Sequence, residues 1–161
     1  MMMVRADVPL PCPECGAQYP DPSDSCAQRF DALLALDHSQ REPWGSRHAL
    51  AFSAFALQHP SRFPGATRER AHAMLRRVYR EGVALSTVVR DVRRSQAGGG
   101  TALATPPGAS VVAERPRTPP HPANPHFAVT IQDLGAFDEA AYAVLLDAWC
   151  RATLNALSAA E

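Results

Sequence analysis

Three of the four cysteines fall within the first 26 residues: Cys12 and Cys15 in a Cys-Pro-Glu-Cys-Gly turn, then Cys26. A C-x-x-C turn points two thiolates at one centre, and Gly16 permits the tight return that such a knuckle needs. Cys26 falls in the first turn of a predicted helix, where unpaired N–H groups and the helix dipole favour a thiolate. Clustered cysteines of this kind bind metal more often than they form a disulfide framework. Zn2+ is the ion that suits them, and three thiolates leave room for one more ligand.

The histidines supply it. His48 and His59 sit on one predicted helix, eleven residues apart. At 1.5 Å per residue that is about 16.5 Å along the axis, so they cannot share an ion. Cys26 and Asp37 are also eleven apart, on the preceding helix. An antiparallel hairpin of these two helices therefore sets His59 beside Cys26, and His48 beside Asp37 and His38. The expected metal ligands are Cys12, Cys15, Cys26 and His59, a closed Cys3His set, with His48 a further candidate at the opposite end. There, Asp37, His38 and His48 could hold a second, catalytic metal, although a hydrogen-bonded core histidine explains His48 as well. Cys12 and Cys15 as a redox pair lack the strand-to-helix context of thioredoxin-like motifs. Cys150, beside Trp149, reads as core.

These residues must be positioned by helices. Ser25 and Gln28 are spaced as a capping box, opening a helix with Cys26, Phe30, Leu33 and Leu34 on one face and an end near Asp37 or His38. A second helix runs from a Ser46 cap to His59, where Pro60 stops it. A third follows Pro64-Gly65 with Thr67 as its cap and Gly82 as its C-terminal glycine. The fourth, about 85–95, repeats Leu85, Val88, Val89 and Val92 at helical spacing. Residues 96–126 hold Gly98-Gly99-Gly100 and seven prolines between 106 and 125, a loop or linker. Phe127, Val129 and Ile131 alternate as a short strand, with Ser110–Ala113 as a weak partner. A last helix starts at Asp138, with Phe137 and Tyr142 as its hydrophobic staple.

The expected fold is mainly α: a small helical domain with an N-terminal zinc-knuckle turn, one or two short strands and a long Pro/Gly-rich loop. Its parts are the knuckle and helical hairpins over 1–95, the loop over 96–126, and a strand and helix over 127–161 that complete the same domain.

The stretch Cys12–Gly16, Cys26, Asp37, then His48-Ala-Leu-Ala-Phe-Ser-Ala-Phe-Ala-Leu-Gln-His-Pro60, resembles an uncharacterised bacterial family catalogued as domain of unknown function 5946. Val129-Thr-Ile-Gln-Asp-Leu134 and Trp149 resemble its closing segment, so the likeness covers most of the chain outside 96–126. Ser53 and Phe55 stand where that family usually has Asp and Tyr, so no catalytic carboxylate carries over onto the second helix. The resemblance implies a site and no activity.

Composition narrows the function further. All 16 basic residues are arginine. Without lysine there is no pyridoxal Schiff base, no P-loop lysine and no Ser-x-x-Lys nucleophile pair. The net charge of zero conceals a basic segment, since residues 65–94 carry 8 arginines against 3 acids. Arg68, Arg70, Arg76, Arg77, Arg80, Arg90, Arg93 and Arg94 there could meet a nucleic acid, or be solvated helix faces. Aromatic interleaving is thin, with only Tyr79, which argues against single-strand stacking. No apolar run reaches membrane-spanning length and Met1–Pro11 has no signal-peptide core, so a cytoplasmic protein is expected. The function expected from sequence is a binding or regulatory module with a structural zinc. The alternatives are a metal-dependent hydrolase using Asp37, His38 and His48, or arginine-mediated nucleic-acid binding through 65–94.

Overall fold

A computed structural model of the chain describes residues 10–98, 121 and 127–160. Five α-helices carry it: α1 (Cys26–His38), α2 (His48–Gln58), α3 (Gly65–Tyr79), α4 (Leu85–Ala97) and α5 (Tyr142–Ala159). Three short 3-10 turns lie at Gly45–Arg47, Pro60–Arg62 and Ile131–Leu134. No helix is long and apolar enough to cross a membrane among the described residues.

The organising element is α2. Leu50, Ala51 and every residue from Ser53 to Gln58 are buried, so the helix is enclosed on nearly all sides. Its sequence, Ala-Phe-Ser-Ala-Phe-Ala-Leu, explains this: small residues let neighbouring helices approach, and the larger ones fill the gaps between. α3 and α5 pack along it, and α1 lies against its phenylalanine face. Residues from both sides of the Pro/Gly-rich segment share one buried cluster, from Cys15 in the knuckle to Leu157 on α5.

α1 starts as its sequence dictates. Ser25 is extended and its hydroxyl accepts from the Gln28 N–H at 3.2 Å. The buried residues Cys26, Phe30, Leu33 and Asp37 form one stripe along it. α2 begins one residue later than a Ser46 cap implies: Gly45–Arg47 forms a 3-10 turn, and the Ser46 hydroxyl donates to Glu42 at 2.6 Å instead. Gly45 is required here, because a Cβ on it would lie 2.9 Å from the Gln40 Cα. Thr67 is not the cap of α3; Pro64 holds that position, and the Thr67 N–H donates to the Pro64 carbonyl within the first turn. Gly82 sits at φ +68°, the left-handed conformation expected of it after α3.

The expected strand over 127–131 does not form, and no strand occurs among the described residues. The chain there needs no ladder, because its backbone groups bond singly to distant elements. The Phe127 N–H donates to the Cys15 carbonyl, and the Val129 carbonyl accepts from Gln58 Nε2 at 2.9 Å. Thr130 and Asp133 then cap one another reciprocally and turn the chain into the Ile131–Leu134 3-10 turn. Ser110–Ala113 and nearly all of the loop lie outside the described residues. α5 begins at Tyr142 rather than Asp138, whose carbonyl accepts the first two N–H groups, from Ala141 and Tyr142. Tyr142, Leu146, Trp149, Cys150, Thr153, Leu154 and Leu157 are its buried face.

Candidate metal centre

The knuckle closes on itself. The Cys12 N–H donates to the Ala17 carbonyl and the Gly16 N–H to the Cys12 carbonyl, each at 2.8 Å. Gly16 takes φ +83° to complete the return. The Ala17 N–H then points at Cys15 Sγ, 3.5 Å away. Glu14 fastens the loop from outside by accepting the Ser61 N–H at 2.8 Å, just beyond the end of α2.

α1 and α2 run antiparallel, in the register implied by their matched eleven-residue spacings. Cys26 at the start of α1 meets His59 at the end of α2. The donor atoms of Cys12, Cys15, Cys26 and His59 all lie within 4.8 Å of one another. Cys15 Sγ is 3.6 Å from Cys26 Sγ, and Cys12 Sγ is 3.8 Å from His59 Nε2. With Zn–S near 2.3 Å and Zn–N near 2.0–2.1 Å, a regular tetrahedron has S···S edges of about 3.8 Å and S···N edges of about 3.6 Å. These two edges match a tetrahedral ion, and the four donors are close enough together to surround one. Cys15, Cys26 and His59 are buried and Cys12 is half-buried, so the group is enclosed.

His59 is set up for the task by the helix it ends. Its Nδ1 lies 3.0 Å from the Phe55 carbonyl, and a carbonyl can only accept, so Nδ1 carries the proton. In the neutral ring this leaves the lone pair of Nε2 directed at the cysteines. This is the arrangement by which metal-binding histidines are fixed in orientation and tautomer. The Phe55 ring stacks on the imidazole at 4.1 Å. On the sulfur side, the Tyr19 hydroxyl donates to Cys26 Sγ at 3.0 Å.

The clustered donors shift the titration of Cys12, Cys15 and His59 strongly. Hydrogen bonds from Cys15 and Cys26 hold the Cys12 thiol far below its ordinary pKa, and the Cys12 partner pushes Cys15 far above. One sulfur takes the negative charge at the expense of its neighbours, because three thiolates repel in a buried space. Burial opposes the charging of His59, but the Cys12 and Cys26 sulfurs outweigh it and raise its pKa to about 9. A divalent ion at the centre removes this conflict by letting all three cysteines ionise.

Of the five expected ligands, the structure brings four together and leaves His48 apart. His48 Nδ1 is 2.9 Å from the carboxylate of Asp37, which is itself buried. The His38 ring lies 5.9 Å from that of His48 but on an exposed residue. The Cys3His group is the sole convergence of three or more such donors among the described residues, so Asp37, His38 and His48 do not make a second one. The arginines are partly committed inside the protein: Arg77 pairs with Asp91 at 2.8 Å, joining α3 to α4, and Arg80 reaches Asn155 on α5 at 2.9 Å.

Two contributors have no role assigned to them by the sequence. Tyr19 is one; a tyrosine inside a knuckle, seven residues before a cysteine, was the available signal. Gln58 is the other. Fully buried beside His59, its Nε2 donates to both the Val129 carbonyl and Thr153 Oγ1 at 2.9 Å.

Fold and site together define a small helical domain built around a candidate Cys3His metal centre. The chain belongs to the Family of unknown function (DUF5946), whose model matches residues 10–158. No curated protein and no solved structure matches it.

Proposed function

We propose that the chain is a zinc-dependent binding or regulatory module, a single domain in which Cys12, Cys15, Cys26 and His59 hold one structural Zn2+. The observation that carries this reading is the convergence of three sulfurs and an oriented imidazole nitrogen within 4.8 Å. Four protein ligands fill a tetrahedral ion, leaving no position for water or substrate, which is the pattern of structural rather than catalytic sites. The ion would join three separate pieces of chain: the knuckle, the start of α1 and the end of α2. Structural zinc contributes on the order of 10–16 kcal/mol in small sites, comparable with the whole stability of a domain.

Elemental analysis of the purified protein tests it. One zinc per chain is expected, lost in both Cys26→Ser and His59→Ala. Zinc lost in the first but kept in the second removes His59 as fourth ligand. A metal-free preparation that is fully folded removes the structural role.

A further inference from the structure

α4 is strongly two-sided, yet Val88 is its only buried residue. Leu85, Val89 and Val92 are half-buried and line a cleft of about 1040 Å³ between α4, α3 and the start of α2. A second cavity of about 500 Å³ lies between α2, α3 and α4. His48, Ala49, Met74, Val92 and Gln96 border both, so the two meet there. Spaces of this size hold organic molecules rather than single ions or waters.

The walls have a consistent character. The interior is apolar, formed by Met74, Val78, Leu85, Val89 and Val92. Among the charged side chains, Arg47, Arg90 and Arg93 border the larger cavity and Arg70 and Arg77 the smaller. Among the described residues the only acid against either is Asp147, whose carboxylate already accepts the Tyr79 hydroxyl at 2.6 Å. His48 stands where the cavities join. Its Nδ1 is taken by Asp37, which leaves Nε2 as the ring nitrogen available to an occupant. An apolar interior with a cationic border is complementary to one kind of small molecule.

We propose that this cleft binds an amphipathic organic acid. Its hydrocarbon body lies against Met74, Val89 and Val92, and its anionic head meets Arg90, Arg93 and Nε2 of His48. Arginine suits the head because its planar fork matches a carboxylate. Asp37 is a positioning residue, fixing the imidazole by its hydrogen bond. None of the four clustered metal donors lines either cavity, so the proposal stands independently of the zinc site.

Calorimetric titration of the full chain tests the idea with three probes. Decanoate carries both features, 1-decanol only the hydrocarbon body, and inorganic phosphate only the charge. Saturable one-to-one binding of decanoate is expected, with each of the other two at least about 10-fold weaker. Arg93→Ala and Arg90→Ala, at exposed positions, should each weaken decanoate roughly 10-fold while leaving decanol unchanged. Val89→Asp, which sets a charge on the apolar wall, should abolish binding, and unchanged circular dichroism shows that the fold persists. Equal binding of decanol overturns the role of the arginines, and equal binding of phosphate overturns that of the apolar wall. Absence of saturable decanoate binding overturns the proposal altogether. So does a dimer that forms with rising protein concentration and is broken by Val89→Asp, since a second copy is then the occupant.

Discussion

The rings of Phe30 on α1 and Phe55 on α2 lie parallel, 2° apart in plane and 3.9 Å between centroids. That stack fixes how the two helices register. One turn beyond it, Cys26 meets His59; at the far end, Asp37 meets His48. Phe55 also faces the imidazole of His59 and, through its own carbonyl, holds the Nδ1 proton. The candidate metal centre is therefore built on an aromatic clamp, and its geometry depends on packing.

Phe30→Ala should therefore act twice. Truncating a buried phenylalanine costs about 3–5 kcal/mol, and the loss of register should also weaken metal retention. Urea denaturation with metal content measured on the same samples checks both. If stability falls while metal affinity is unchanged, the stack supports the core but does not align the ligands.

Chelation should unfold the domain. An ion held by the four donors would tie the knuckle to two helices. Adding a strong chelator should remove the helical circular dichroism signal, and restoring Zn2+ should bring it back. A helical signal indifferent to chelator speaks against a structural ion.

Tyr19→Phe isolates the influence of the shell around the ligands. It keeps the ring and removes the hydroxyl that donates to Cys26 Sγ. Losses of such outer partners cost about 10–100-fold in metal affinity. Competition with a zinc indicator should show a decrease within that range, with the fold retained. Unchanged affinity would mean that the hydroxyl is only satisfied by the sulfur and does not tune it.

Much of this centre was legible in the sequence because its information is periodic. Two pairs of residues, each eleven apart on successive helices, can meet only in one antiparallel register. The knuckle was legible because Gly16 and the C-x-x-C spacing are local. The errors arose where local pattern met distant partners. Alternating Phe127, Val129 and Ile131 resembled a strand, but the backbone there bonds to Cys15 and to Gln58, and Thr130 with Asp133 turns it into a 3-10 helix. Gln58 stood in the family motif without a role, since its partners lie 71 and 95 residues further along the chain. Helical spacing sets His48 beside Asp37, as found, but it could not say whether that pair would share a metal or a hydrogen bond.

Gln58 now carries a prediction of its own. Replacing it with leucine leaves the Val129 carbonyl without its Nε2 donor and buries Thr153 Oγ1 without it as well. The cost should be about 1–3 kcal/mol, the penalty of an unmet buried polar group. Thermal unfolding of Gln58→Leu checks this. A neutral effect would show that the turn is held by Thr130 and Asp133 alone.

Cysteine chemistry separates the two kinds of thiol in this chain. Cys150 is fully buried on α5, and burial pushes its pKa up to about 12, against 9.0 for the ordinary thiol. Because the folded value is the higher one, the stabilisation linked to this group is complete below pH 9. It is lost as pH rises from there through about 12, where the unfolded chain can ionise the thiol and the folded chain resists. Cys150 should therefore stay inert to iodoacetamide at neutral pH for as long as the protein is folded. Cys12, Cys15 and Cys26 should also be protected, but by the ion rather than by burial alone, and Cys12 is only half-buried. Mass spectrometry after labelling should find no modified cysteine in the zinc-bound protein. Chelation, which should unfold the domain, should expose Cys150 together with the three clustered cysteines. Labelling of the three before Cys150 would mean that the metal leaves without global unfolding. Labelling of Cys12 with zinc still bound would mean that its sulfur is not a ligand.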